Sequence, residues 1–143
     1  MKNIIVYTDG SYKSSLDRGG IGVIWLKNGK IVQEFSKGFN HVTNNIMELM
    51  AIYVALRCII KPIDSLEIIS DSEYSIGVLA KDWKSKKNVK LILKIKKEIE
   101  RVKELVSEIK WTHVRGHQKD DSESTKYNNK VDFLAQSAAS YEV

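Results

Sequence analysis

The 143-residue chain has one cysteine, Cys58, and one proline, Pro62. A single thiol excludes an intrachain disulfide and a cysteine-based zinc site, and it suits a reducing compartment. With Leu56, Ile59 and Ile60 as neighbours, Cys58 reads as a buried structural thiol rather than a reactive one. Long apolar runs are also missing. No stretch approaches the length needed to span a bilayer, and the run that starts at Ile4 is soon interrupted by Thr8 and Asp9, too early for a signal-peptide core. The expectation is a cytoplasmic protein without a membrane segment. Neither repeats nor low-complexity linkers divide the chain, so one domain over residues 1–143 is expected, large enough to bury a real core. The net charge of +5 and pI of about 9.2 permit an anionic partner such as nucleic acid without demanding one.

What is present is a clear change of period along the chain. Asn3–Thr8 alternates as a strand. Gly19–Leu26 and Lys30–Phe35 predict two more, joined through Asn28-Gly29, a strong hairpin signal. From Thr43, a plausible N-cap, Met47, Met50, Ala51, Val54, Leu56 and Ile60 recur at helical spacing until Lys61-Pro62. Leu66–Ser70 predicts a short buried strand and Glu73–Leu79 a brief helix. A longer helix carries the stripe Ile92, Ile95, Ile99, Val102 and Val106, followed by a strand over Ile109–Val114 and a last helix over about Asn129–Ser140. The order βββαβααβα describes one α/β domain with a mixed sheet, its first three strands antiparallel and its later ones parallel to the first.

Ligands of such sheets gather at the carboxyl ends of strands. Asp9 and Asp71 each stand where an apolar strand runs out, and this topology places the two strands side by side. Neighbouring carboxylates repel, and a divalent cation between them removes that cost. Glu48 is a third candidate, set among Ile46, Met47, Leu49 and Met50 near a helix start, where an unpaired charge is expensive. Asp132, beside Val131, Phe133 and Leu134, is a fourth. The ordinary alternatives are an Asp-Gly turn at Asp9, a solvated or dipole-compensating glutamate at Glu48, and an N-terminal helix acid at Asp132.

Taken together, Tyr7-Thr8-Asp9-Gly10-Ser11, Thr43-Asn44-Asn45-Ile46-Met47-Glu48-Leu49, Ser70-Asp71-Ser72-Glu73-Tyr74, Val114-Arg115-Gly116-His117, and Asn128 with Val131-Asp132-Phe133-Leu134-Ala135 closely resemble type 1 ribonuclease H. The resemblance runs nearly end to end. It implies the RNase H-like fold, a five-stranded mixed sheet flanked by helices. It also implies an endonuclease that hydrolyses the RNA strand of RNA–DNA hybrids by two-metal-ion catalysis, giving 5′-phosphate and 3′-hydroxyl products. Asp9, Glu48, Asp71 and Asp132 are implied to hold two Mg2+ ions, with Mn2+ able to substitute, and Asp9 to bridge them. His117 matches the histidine that assists proton movement or product departure. The partner implied is an RNA–DNA hybrid, bound by a monomer.

The same resemblance assigns RNA contacts to Asn44, Asn45 and the backbone near Gly10 and Ser11, because side-chain amides match a 2′-hydroxyl that both donates and accepts. Thr43 and Asn88 match positions that hold a phosphate of the DNA strand, and Trp83 one that stacks on a DNA sugar. Three departures from the pattern stand out. Glu73 replaces a glutamine that contacts RNA, and the loop from Gln118 to Tyr127 is rich in the acids Asp120, Asp121 and Glu123. Between Trp83 and Asn88 there is only Lys84-Ser85-Lys86-Lys87, where many relatives insert a basic helix; Lys84, Lys86, Lys87 and Lys90 are therefore a possible phosphate grip. Two other readings share features with this one. A related-fold DNA nuclease of resolvase or transposase type is disfavoured by Thr43-Asn44-Asn45 beside Glu48. A non-catalytic hybrid-binding module is disfavoured by the presence of all four carboxylates.

Overall fold

The computed structural model describes residues 2–116 and 118–140 of the chain. Its elements follow the expected order: β1 (Asn3–Lys13), β2 (Arg18–Lys27), β3 (Lys30–Asn40), α1 (Asn44–Arg57), β4 (Ile63–Ser70), α2 (Glu73–Ala80), α3 (Val89–Lys103), β5 (Val106–His113) and α4 (Glu123–Ser140). The five strands form one sheet in the order β3-β2-β1-β4-β5. β1, β2 and β3 pair antiparallel, whereas β4 lies parallel to β1 and β5 parallel to β4. The hairpin between β2 and β3 turns at Asn28 and Gly29, both at positive φ (53° and 76°), as a two-residue turn matched to strand twist requires.

Alternation along the strands gives the sheet two apolar faces. On one, Val6, Ile21, Val23, Trp25 and Ile68 pack with Leu49, Ile52 and Leu56 of α1 and Ile92, Ile95 and Ile99 of α3. On the other, Tyr7, Ile24, Leu26 and Ile69 meet Tyr127 and Val131 of α4. The β2–β3 register shifts between Trp25↔Gln33 and Leu26↔Ile31, which leaves Val32 of β3 as the extra residue while β2 keeps its alternation. Among the described residues no helix is long and apolar enough to cross a membrane.

Several element boundaries differ from expectation: β3 runs on to Asn40 rather than Phe35, and β4 begins at Ile63 rather than Leu66. β1 continues past Asp9 to Lys13, because the glycine-rich start of β2 pairs with it as far as Lys13↔Arg18. α1 ends at Arg57, a turn before Pro62. The Arg101 guanidinium takes the carbonyls of Leu56 (2.9 Å) and Ile59 (2.8 Å), and thus satisfies the helix end from outside. Cys58 and Ile60 consequently leave the helical stripe and are exposed, so the expectation of a buried thiol is corrected. Val106 begins β5 instead of closing the α3 stripe. α4 begins at Glu123 rather than Asn129, initiated by Ser122, whose hydroxyl oxygen accepts the Thr125 amide at 3.2 Å. Half of the expected Gln118–Tyr127 loop is therefore helical.

Candidate active site

The pairing of β1 with β4 stops at Thr8↔Ser70, and the next residues on the two parallel strands are Asp9 and Asp71. Asp9 is not at the end of its strand. It stands where β1 parts from β4 and goes on with β2 alone, which leaves one side of the strand open at that level. Glu48 comes from the second turn of α1, a helix started by Thr43, whose side chain accepts the Ile46 amide at 3.2 Å. Oxygen atoms of Asp9, Glu48 and Asp71 lie within 4.8 Å of one another. Asp9 and Glu48 are buried and Asp71 is half-buried.

Two close approaches create this cluster. At Gly10 a Cβ would overlap the backbone of Met47 and Glu48, so α1 comes against β1 only because that residue is glycine. The Gly10 amide then donates to both the Glu48 carboxylate and Asp9 Oδ1, the latter at 2.9 Å. On the opposite face, Gly22 of β2 pairs with Asp9, and a Cβ there would stand 2.5 Å from the Val131 carbonyl of α4. With α4 so close, Asp132 stands near enough to Asp9 to help raise its carboxyl, although it is not one of the three acids whose oxygens cluster. Asp132 also accepts from Gln136 Nε2 at 2.8 Å. It is placed in the third turn of α4, not at a helix start, which removes the dipole explanation for it.

The electrostatics of the cluster are those of crowded acids. Burial pushes the Asp9 carboxyl far above the usual carboxylate range, reinforced by the charges of Glu48 and Asp71. Burial raises Glu48 as well, followed by the charge of Asp71. Asp9 Oδ2 is buried and, among the described residues, receives no hydrogen bond. Its surroundings are carboxyl oxygens, acceptors only when ionised. A buried oxygen without a donor, ringed by hard anionic oxygens, fits a divalent cation such as magnesium. The donor set contains neither sulfur nor imidazole, which disfavours zinc.

Other expected residues surround the cluster. Thr43, Asn44 and Asn45 are exposed at the start of α1, and Gly10 and Ser11 continue β1 beyond Asp9. Glu73 is exposed in the first turn of α2. Trp83, Lys84, Lys86 and Lys87 lie on the connection between α2 and α3, with Asn88 as the N-cap of α3 and Lys90 in its first turn. His117 lies outside the described residues. Its neighbour Gly116 passes so near Asp71 that a Cβ would lie 2.9 Å from Oδ2, and His113, at the end of β5, donates from Nε2 to the Asp71 carbonyl at 3.2 Å. Sequence reading did not single out Gly22, Gln136 or the approach of Gly116. Only glycine at a strand position opposite Asp9 hinted at the first.

The chain and its fold have counterparts among known proteins. The family model described as RNase H matches residues 1–140. A ribonuclease H of Clostridium botulinum is 36% identical and aligns over 96% of both chains. One from Pseudoalteromonas atlantica is 33% identical over 98% of this chain and 92% of its own. Among solved structures, the N-terminal RNase H domain of a Mycobacterium tuberculosis protein superposes with a TM-score of 0.75 at 17% identity, covering 97% of this chain and 94% of that one. LC11-RNase H1, solved in complex with an RNA/DNA hybrid, gives 0.73 at 24% identity, covering 95% and 96%. With the family model spanning nearly the whole chain and relatives above 30% identity aligned end to end, the chain belongs to the RNase H family.

Proposed function

We propose that this chain, acting as one domain over residues 1–143, is a magnesium-dependent endonuclease that cleaves the RNA strand of RNA–DNA hybrids. The observation that carries the reading is the cluster of Asp9, Glu48 and Asp71 around a buried Asp9 oxygen that receives no hydrogen bond. Family membership and the hybrid complex of LC11-RNase H1 support the choice of substrate.

In this reading Asp9, Glu48, Asp71 and Asp132 hold two magnesium ions, with manganese able to replace them. When bound, the ions supply Lewis-acid activation of water and charge neutralisation at the leaving 3′ oxygen, which accounts for 5′-phosphate and 3′-hydroxyl products. The protein fixes the carboxylates in advance. The Gly10 amide orients Glu48 and Asp9, and the helices on both sheet faces exclude water from behind them. Asn44 and Asn45, exposed beside Glu48, present amides to consecutive 2′-hydroxyls, and Gly10 and Ser11 add backbone groups. Thr43 and Asn88 take a phosphate of the DNA strand, Trp83 faces a DNA sugar, and His117 moves protons or eases product departure. Glu73 offers a carboxylate where an amide would serve RNA better, so its contact is weak.

Incubating the protein with RNA–DNA hybrid, duplex DNA and duplex RNA, with magnesium and with chelator, tests the proposal. Cleavage confined to the RNA of the hybrid and abolished by chelator is expected. Cutting of duplex DNA at a similar rate would replace the reading with a DNA nuclease. Binding of hybrid without cleavage would replace it with a non-catalytic module.

A further inference from the structure

Residues 81–88 connect α2 to α3 without regular secondary structure, yet they are fastened to α2 at two places. The first is Trp83. Its ring covers Gly77 so closely that a Cβ there would overlap the indole, and its amide donates to the Gly77 carbonyl at 3.0 Å. The second is Tyr74. Its hydroxyl lies 2.9 Å from Ser85 Oγ, and Asn88 Nδ2 donates to it at 3.3 Å.

The direction of these bonds follows from counting hydrogens. Ser85 has one hydroxyl hydrogen and gives it to the Lys87 carbonyl at 2.8 Å, while its oxygen accepts the Lys87 amide at 3.2 Å. Tyr74 must therefore donate to Ser85 and accept from Asn88, which uses its hydroxyl in both directions. Asn88 needs this support. It sits in the left-handed region at φ 60° and makes no side-chain capping bond to α3, so the helix does not fix its side chain. Tyr74 and Gly77 are three residues apart on α2, hence on one face, and α2 begins two residues after Asp71. The fastened segment bears Lys84, Lys86 and Lys87, all exposed, and no acid occurs between Asp82 and Glu98.

We propose that Tyr74 is a positioning residue for hybrid binding: through Ser85 and Asn88 its hydroxyl sets the shape of the basic segment and its distance from the carboxylate cluster. This rests on the hybrid-cleaving function proposed above. The segment meets phosphates in the ground state and the transition state alike, so its misplacement weakens binding without slowing the chemistry.

Tyr74→Phe removes only the hydroxyl and keeps the ring packed against the core. The expected result is a KM for hybrid raised about fivefold, a kcat within about twofold of the parent, and a shallower dependence of binding on salt. In an Asn88→Ala background the same change should cost less than it does in the parent, because the Asn88 half of the link is already gone and only the bond to Ser85 remains to be broken. A merely structural role would lower the melting temperature and leave the salt slope and the KM to kcat split alone. Parental KM and salt slope in Tyr74→Phe would overturn the proposal, as would losses that multiply in the double variant. If the parent protein leaves hybrid uncut, the underlying function fails and the proposal falls with it; a parent that cuts normally while Tyr74→Phe is indistinguishable from it removes the proposal alone.

Discussion

Asp9 stands directly opposite Gly22 in the β1–β2 ladder, and the missing side chain of Gly22 is the space into which α4 settles. One consequence concerns stability and activity together. Gly22→Ala places a methyl against the Val131 carbonyl, which cannot rotate away, and α4 must retreat. A destabilisation of about 1–3 kcal/mol is expected from such overpacking. Because Asp132 rides on α4, hybrid cleavage should fall more than the loss of folded protein explains. Thermal melts and cleavage rates on the same preparation check this; unchanged activity at unchanged stability would contradict it.

The second prediction concerns pH. Unfolded, the carboxyls of Asp9 and Glu48 ionise near pH 4. Folded and metal-free, burial and mutual repulsion hold them protonated much longer, Glu48 pushed up to about 8 and Asp9 to about 11. The folded state therefore binds more protons than the unfolded one across this range, and its stability declines as pH rises from about 4, the Glu48 share being lost through about 8 and the Asp9 share through about 11. Melting temperatures of chelator-treated protein should fall between pH 5 and pH 8, and magnesium should restore more at pH 8 than at pH 5. Asp9→Asn, which removes one of the crowded acids, should melt above the parent at pH 8 without metal. A flat or rising profile in the metal-free parent would count against this electrostatic account.

Much of this was legible in the sequence, and the reasons are local. Thr43 announced α1 and Asn28-Gly29 announced the hairpin, because capping and turn chemistry act within a few residues. Asp9 and Asp71 were legible as neighbours because parallel pairing of their strands sets them at the same level, just past Thr8↔Ser70. The extension of β1 was hidden by Asp9-Gly10-Ser11, a turn-like tripeptide held straight only by β2. The first turns of α4 were hidden by Glu123–Asn128, whose polar residues give no apolar period. Exposure of Cys58 and Ile60 depends on Arg101, more than forty residues away in sequence. Gly22 and the Tyr74 network likewise depend on contacts between distant elements, which composition and spacing do not report.

The third prediction concerns recognition of ribose. Asn45 is exposed beside the carboxylates, so Asn45→Ala should leave the fold and the metal cluster intact. Preference for hybrid over duplex DNA, measured as a ratio of kcat/KM, should drop about tenfold, the range expected when one site amide no longer pairs with a substrate hydroxyl. A hybrid carrying a single ribonucleotide in an otherwise deoxy strand should be cut poorly by the parent. Efficient cutting beside that lone ribonucleotide would show that consecutive 2′-hydroxyls are not read.

The account depends most on Asp9 as the centre of a cation-binding carboxylate cluster, and hybrid cleavage by Asp9→Asn against the parent, across a range of magnesium concentrations, tests it most directly. The parent rate should rise with magnesium and vanish with chelator. The variant should remain folded and lose about a thousandfold in kcat, roughly 4 kcal/mol of barrier, at every magnesium concentration. Turnover by the variant near that of the parent, or parent cleavage that persists in chelator, would contradict the assignment.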